Sequence, residues 1–448
     1  MLLPAHADTL DGALVLAYQN NPTLNSQRAS VRATDEGVPQ ALSGYRPRVT
    51  FNGTVGSQYT DSTTRSQTLG LGNTYTQLSG NMTPSSLGVT ATQTLYNGFQ
   101  TANRTRQAES QVQAARETLR VAEQSTLLNA VTAYMNLLRV GAILDLQRRN
   151  VEVLQEQLRQ TRDRFNVGEV TRTDVAQSES RLAAGRSQVL NAEAVYKASV
   201  ATYRQVIGVE PGKLSPGSPV DRFSPHNLPA AVGLATATHP AVTNAQYNVD
   251  AALLQVKVAE GALYPTLALQ GNVQQNYESS LLGLKTFNAS VIGQLVVPIY
   301  QGGAEYSLIR QAKETLGQRR LDLDTARDQV RQSVVQAWGL LEAAKANIDA
   351  TQAQVQASEI ALNGVREEAR VGQRTTLDVL NAQQELVNAR VSLVSAQRDR
   401  VVASYTLLAA VGGLSPQVLG LRVPTYDSNV HYQQVRDTWA GVRTPDGR

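Results

Sequence analysis

Two nine-residue segments hold the side chains with the most chemical promise in this 448-residue chain. They read Asn166-Val167-Gly168-Glu169-Val170-Thr171-Arg172-Thr173-Asp174 and Arg370-Val371-Gly372-Gln373-Arg374-Thr375-Thr376-Leu377-Asp378. A glycine just past a helix end adopts the left-handed conformation that satisfies the last carbonyls. Thr171 with Asp174, and Thr375 with Asp378, then have the spacing of a capping box that starts a return helix. The chemistry on offer is electrostatic, because a first-turn acid can cap and still face a narrow opening. Catalysis lacks its groups. His6, His226, His239 and His431 are far apart and without metal-ligand spacing, and no nucleophile elbow or phosphate-binding glycine loop occurs. Cysteine is absent, which excludes disulfides, thiolate metal sites and a lipidated cysteine in this chain. No enzyme activity and no cofactor are expected.

The elements that must position these segments are long helices. No proline occurs between Tyr96 and Pro211 or between Pro298 and Pro416. From Gly98 to the break at Gly168 a continuous helix would reach roughly 105 Å at the α-helical rise, too long to lie on a globular core. Its seam is legible. Leu137, Leu144, Val151, Leu158 and Phe165 recur every seven residues, as do Leu341, Ile348, Val355 and Leu362. After each break Val175, Leu182, Val189, Tyr196 and Tyr203, then Leu380, Val387, Val394, Val401 and Leu408, keep that period. A sustained period of seven keeps one stripe facing a partner helix, so each break is expected to be the tip of an antiparallel coiled-coil hairpin. These stripes are read as structural.

The chain is written twice. Tyr96-Asn97-Gly98 aligns with Tyr300-Gln301-Gly302 at a shift of 204, and Val167-Gly168, Asp174-Val175 and Gly208 align with Val371-Gly372, Asp378-Val379 and Gly412. Earlier in each half Pro22, Pro47 and Tyr59 align with Pro240, Pro265 and Tyr277 at a shift of 218, so the first copy carries 14 extra residues between Tyr59 and Tyr96. Ser, Thr, Gly and Asn dominate that tract, which is expected to be a surface loop. The organisation that follows has a signal-peptide remnant over 1–7, ending in the small-x-small site Ala5-His6-Ala7 before a mature start at Asp8. A first repeat over 8–208 has its tip near Gly168, a Pro-rich linker spans 209–229, a second repeat over 230–413 has its tip near Gly372, and a polar tail over 414–448 either packs at the equator or is disordered.

Each repeat also holds two segments of period two, expected as strands at about 47–60, 86–96, 265–278 and 286–298. Val49, Phe51, Gly53 and Val55 oppose Arg48, Thr50, Asn52 and Thr54; Leu87, Val89, Ala91 and Leu95 oppose Thr90, Thr92 and Thr94. Leu267, Leu269, Gly271 and Val273, then Phe287, Ala289, Val291 and Leu295, repeat the pattern. These lengths cross a bilayer at a tilt, and Tyr45, Tyr59, Tyr96, Tyr264, Tyr277 and Tyr300 sit at strand ends as an aromatic girdle would. No run of 18 apolar residues offers a spanning helix instead. Four strands leave two open edges, which lipid does not tolerate, so closure must be intermolecular, by a dimer or a trimer on strand arithmetic alone. A soluble coiled-coil scaffold with a small β domain is the competing reading, and a diffusion porin is disfavoured because so little of the chain is strand. The net charge of +4 comes from 41 basic and 37 acidic residues interspersed along the chain, without the basic stripe that nucleic-acid binding needs.

The segments FNVGEVTRTDV and RVGQRTTLDVLNAQ, with the strand-to-helix YNGF, resemble the duplicated signatures of the TolC outer-membrane factor family over essentially Thr9 to Leu414. The resemblance implies a mainly α fold with a transmembrane β-barrel, in which a homotrimer gives twelve strands and its coiled-coil helices form a periplasmic tunnel. It further implies an outer-membrane exit duct in a Gram-negative bacterium, docked to a periplasmic adaptor (membrane fusion) protein and an inner-membrane RND or ABC transporter, for efflux or type I secretion. Asp378 matches the family's first acidic gate position and Arg374 the basic residue of the tip network, whereas Asn381 stands where the second aspartate is found, implying a less anionic gate. Asp378, Arg374, Asn381, Asp174 and Thr173 are thus the gate candidates. Val167, Gly168, Glu169, Val371, Gly372 and Gln373 are the candidates for adaptor docking.

Overall fold

The computed structural model describes residues 9–68, 72–445 and 447; the expected leader, Met1 to Ala7, and the start at Asp8 lie outside them. Helices α1 (Leu10–Asn20), α2 (Pro22–Asp35) and α3 (Gly37–Leu42) lead into β1 (Arg48–Val55), β2 (Gln58–Thr68), β3 (Gly72–Met82) and β4 (Ser85–Asn97), then α4 (Gln100–Asn166) and α5 (Arg172–Ile207). The second copy runs α6 (Leu228–Thr238), α7 (Pro240–Gly261), β5 (Thr266–Tyr277), β6 (Thr286–Val296), α8 (Ala304–Arg370) and α9 (Thr376–Ala410), followed by α10 (Ser428–Val435). Local chemistry sets the helix starts. Thr9 and Asn227 side chains accept from the Gly12 and Ala230 amides, and Asn21 accepts from Thr23 and Leu24 ahead of Pro22. Helices α4 and α8 each hold 67 residues, about 100 Å of helix.

The chain divides into two compact units. The first gathers the chain up to Val31 with Ala114–Gln246 and Asp322–Ser428. In its main core Leu14, Leu127, Tyr134, Tyr203 and Leu408 are buried among α1, α4, α5 and α9. Shortening Leu127 to alanine would cost about 2–5 kcal/mol. A second cluster joins Ala231, Ala235 and Val242 to Val334, Leu341 and Leu407, and a third joins Leu154, Leu158, Leu182 and Leu380 across the seam. The heptad positions Leu137, Leu144, Leu158, Leu341, Leu362, Leu380, Val387, Val401 and Leu408 are buried, while Phe165 near the tip is exposed. One stretch of α4 is long and apolar enough to cross a membrane, but half of it is buried inside the fold. The Pro-rich linker is pinned: Tyr134 Oη donates to the Ser215 carbonyl at 2.7 Å, Val220 N donates to Ser404 Oγ at 3.1 Å, and Arg400 pairs with Asp221.

The second unit gathers Arg32–Gln113, Tyr247–Leu321 and the chain from Asn429 onward. Its four-stranded sheet has the order β1-β4-β5-β6, antiparallel throughout. Two sequence expectations need correction. The polar tract after Tyr59 is not an irregular loop: the first strand stops at Val55, and Gln58–Thr68 pairs with Gly72–Met82 as a two-stranded ribbon, β2–β3, in register from Gln58↔Met82 to Thr68↔Gly72. Its Ser, Thr and Asn side chains make no apolar stripe, so cross-strand pairs such as Gln77 Nε2 to Asp61 Oδ1 at 3.1 Å support it. In β4 a bulge lies between Thr94 and Tyr96, so Leu95 is the unpaired extra residue and Tyr96, not Leu95, stands opposite Leu267. Up to α10 the C-terminal segment packs on the fold. Leu414 is fully buried, Leu419, Leu421, Val423 and Tyr426 pack on the first unit's main core, and in the second unit Tyr432 of α10 packs on the cluster of Val38, Ala108 and Val112.

Candidate functional site

The two breaks fold alike. Gly168 (φ +81°) and Gly372 (φ +81°) close their helices in the left-handed region, with Glu169 N donating to the Arg164 carbonyl and Gln373 N to the Glu368 carbonyl, both at 2.9 Å. Both capping boxes are complete. Asp174 Oδ2 accepts from Thr171 N (2.9 Å) and Oγ1 (2.7 Å), and Asp378 Oδ2 accepts from Thr375 N (3.0 Å) and Oγ1 (2.9 Å). The Thr375 amide and hydroxyl, with Arg374 as a lesser influence, hold the Asp378 carboxyl below the usual aspartate range. Asp378 is therefore a fixed anion at neutral pH.

Arg374 makes its ion pair outside that cap. Its Nε donates to Glu368 Oε2 at 2.9 Å, which raises its already high pKa. The first tip has the matching pair Arg164–Glu169 at 2.7 Å, and Arg164 lowers the Glu169 pKa. Thr173 lies exposed on the first turn of α5. Val167 and Val371 stand 77% and 72% exposed, which leaves an apolar side chain on each tip in open solvent.

Sequence reasoning missed the bonds that join the hairpins. Arg181 Nη2 on α5 donates to Asn381 Oδ1 on α9 at 2.7 Å, and Gln383 Nε2 reaches Asn150 Oδ1 of α4 at 3.4 Å while its own Oε1 accepts from Arg366 at 3.1 Å. A cleft of about 840 Å³ opens beside them, lined by Glu152, Glu156, Arg164, Asp174, Arg370 and Arg374 among others. Hydrogen bonds from Arg159 and Gln160 bring the Glu156 pKa down to about 2. The cleft wall thus carries acidic and basic side chains together.

In the other unit the sheet presents two unlike faces. On one, Phe51, Val89, Val273 and Ala289 lie in one cross-strand row, and Val49, Ala91, Gly271 and Val291 in the next. Val49, Phe51, Val55, Phe287, Val291 and Leu295 are all exposed. On the opposite face Thr54 and Ser86 hydroxyls meet at 2.6 Å, Thr90 Oγ1 donates to Asn272 Oδ1 at 3.2 Å, and Asn276 Nδ2 donates to Thr286 Oγ1 at 3.3 Å. Of the proposed girdle, Tyr45, Tyr96, Tyr264 and Tyr300 flank one end of the sheet and Tyr59 and Tyr277 the other. Five are exposed, and Tyr96 lies edge-on to Phe99 at 5.5 Å. Among the described residues, nothing pairs with the outer edges of β1 and β6. An exposed apolar face with uncovered edges is unsuited to water and suited to lipid once the edges are paired.

Residues 13–209 and 231–413, the two repeats, match the outer membrane efflux protein family. The chain belongs to that family. Among relatives, the outer membrane efflux protein BepC of Brucella suis biovar 1 is 43% identical over 445 residues, covering 99% of this chain and 94% of that protein. Outer membrane protein TolC of Escherichia coli K12 is 27% identical over 93% of this chain and 84% of its own length. The solved outer membrane channel CmeC of Campylobacter jejuni shares the fold with a TM-score of 0.76 at 18% identity, over 96% of this chain and 89% of that one. As an outer membrane efflux protein, the chain has the outer membrane as the bilayer for its sheet, and the family's members are channels. The TolC resemblance read from the tip motifs agrees with this membership.

Proposed function

We propose that three copies of this outer membrane efflux protein form one exit duct. In it, β1 of one protomer pairs with β6 of the next, so that twelve strands close without an edge. The observation that carries this reading is the sheet itself, with its apolar face in the open, its hydroxyl and amide ladder on the other side, and two borders that are unpaired among the described residues. The polar ladder would line a wet lumen and the apolar face would meet lipid. Exposed apolar residues on the helices, such as Leu190 and Ile360, would be covered by neighbouring protomers.

The tips would form the periplasmic entrance. Asp378, Asp174 and Arg374 set its charge, Arg181–Asn381 ties the two hairpins together, and Thr173 flanks the first cap. Val167, Gly168, Glu169, Val371, Gly372 and Gln373 would dock a periplasmic adaptor, whose inner-membrane RND or ABC transporter supplies the cargo. The exposed tip valines support docking, because an adaptor could bury them. Because the chain contains no cysteine, a scan of single cysteines along β1 combined with single cysteines along β6 tests the closure. Disulfide-linked dimers and trimers at one register are expected on non-reducing gels, and monomers throughout the scan would refute the pairing.

A further inference from the structure

The segment that follows the second repeat is fastened at more points than a trailing tail needs. Asp35, fully buried, meets His431 Nδ1 at 3.0 Å. Tyr432 packs on the cluster of Val38, Ala108 and Val112, Val435 is buried, and Arg436 reaches Glu109 at 3.9 Å. Finally Arg46 Nη1 donates to the Thr438 carbonyl at 2.6 Å, while its guanidinium stands 4.7 Å from the centre of the Trp439 ring. These contacts follow α2 and α3 toward the start of β1. Ordering backbone costs about 1–2 kcal/mol per residue, yet this segment ends on an indole that is 72% exposed and on a fully exposed Val442. What it fixes is a surface side chain.

The position of that indole is informative. Arg46 lies between Tyr45 of the girdle and Arg48, the first residue of β1. Trp439 is therefore held at the foot of the sheet's apolar band, where tryptophan and tyrosine concentrate at a membrane boundary. Arg46 stands against its ring, Arg443 follows four residues on, and Asp437 is the one carboxylate between 436 and 443. Arginine recognises phosphate through charge-assisted hydrogen bonds. We infer that Arg46 and Trp439 form a headgroup site that holds an anionic glycerophospholipid at the foot of the sheet, with the C-terminal segment serving as the strap that positions it. This rests on the outer-membrane channel reading.

The chain has two tryptophans, and Trp338 packs on the second apolar cluster of the other unit. The full-length variants Trp338→Phe and Trp439→Phe therefore each report on one indole. Both are reconstituted into phosphatidylcholine vesicles, with or without phosphatidylglycerol, carrying a headgroup spin label. Trp439 is expected to be quenched at least about twofold more than Trp338, with Arg46→Ala removing the enhancement by phosphatidylglycerol. Flotation with the vesicles, combined with a Trp439 that aqueous iodide quenches and the headgroup label does not, overturns the site alone. A chain that fails to float overturns the channel reading and this site with it.

Discussion

Arg181 and Asn381, 200 residues apart, meet at 2.7 Å and join the return helix of one repeat to the return helix of the other. The bond crosses between hairpins, so it constrains their separation, whereas Arg374–Glu368 and Arg164–Glu169 each close within one tip. A hydrogen-bonded pair at an exposed position is worth about 0.5 kcal/mol, about a twofold shift between two states. Arg181→Ala and Asn381→Ala are each expected to raise resting conductance in planar bilayers by about that factor, with the double variant no leakier than either single one. Additive effects would show that the two residues act separately.

The tip caps predict a pH response of definite sign. The folded-state pKa of Asp378 is lowered from its ordinary 3.8, so its capping contribution is complete above that value and disappears as the pH falls through the lowered one. Resting conductance is therefore expected to be insensitive to Asp378 between pH 7 and pH 5, with Asp378→Ala and Arg374→Ala already leakier at neutral pH. Thr375→Ala removes the hydroxyl side of the same cap, at a cost of about 1 kcal/mol to the start of α9. Proteolysis near Gly372 should quicken in that variant. An unaltered cleavage rate, or neutral-pH conductance unchanged in both charge variants, would remove these residues from the entrance.

The two strand-to-helix elbows should respond differently to alanine. A Cβ on Gly98 (φ +63°) would lie 2.2 Å from the Gly261 carbonyl oxygen, whereas one on Gly302 (φ +71°) meets nothing within 4 Å. Gly302→Ala incurs only the left-handed backbone cost of about 1–2 kcal/mol, while Gly98→Ala must also displace α7. Heat dissociation of the assembly on gels should show a clear loss for Gly98→Ala and a small one for Gly302→Ala. Equal behaviour would mean that the Gly98–Gly261 approach is not needed.

Burial raises the Glu123 pKa, against smaller opposing influences from Tyr18, which donates to its Oε1 at 3.0 Å, and from Arg28 and Arg120. A carboxyl whose folded pKa is raised destabilises the fold above that pKa and does so no longer below its unfolded value. Glu123→Gln keeps an acceptor for Tyr18, so it is expected to raise the melting temperature at pH 8. The gain should shrink to nothing near pH 4 by circular dichroism. A lower melting temperature at pH 8 would show that the charge is needed where it stands.

How much was legible beforehand follows from where the signals lie. The capping boxes at Thr171 and Thr375 and the heptad stripe from Leu137 to Leu158 are local patterns with fixed spacing, so sequence alone located them. The ribbon β2–β3 has no apolar alternation, because both of its faces are exposed, and a tract of Ser, Thr and Asn reads the same in a loop. The bulge at Leu95 depends on pairing with β5, which no local pattern records. Gly98–Gly261, Arg181–Asn381 and Asp35–His431 are meetings of distant residues, and only the fold brings them together.

The most direct measurement is made on full-length protein purified from outer membranes in detergent and added to a planar lipid bilayer. The account predicts insertion as a trimer, with discrete conductance steps that Arg181→Ala enlarges. A monomer that stays in water without detergent and never carries current would contradict it.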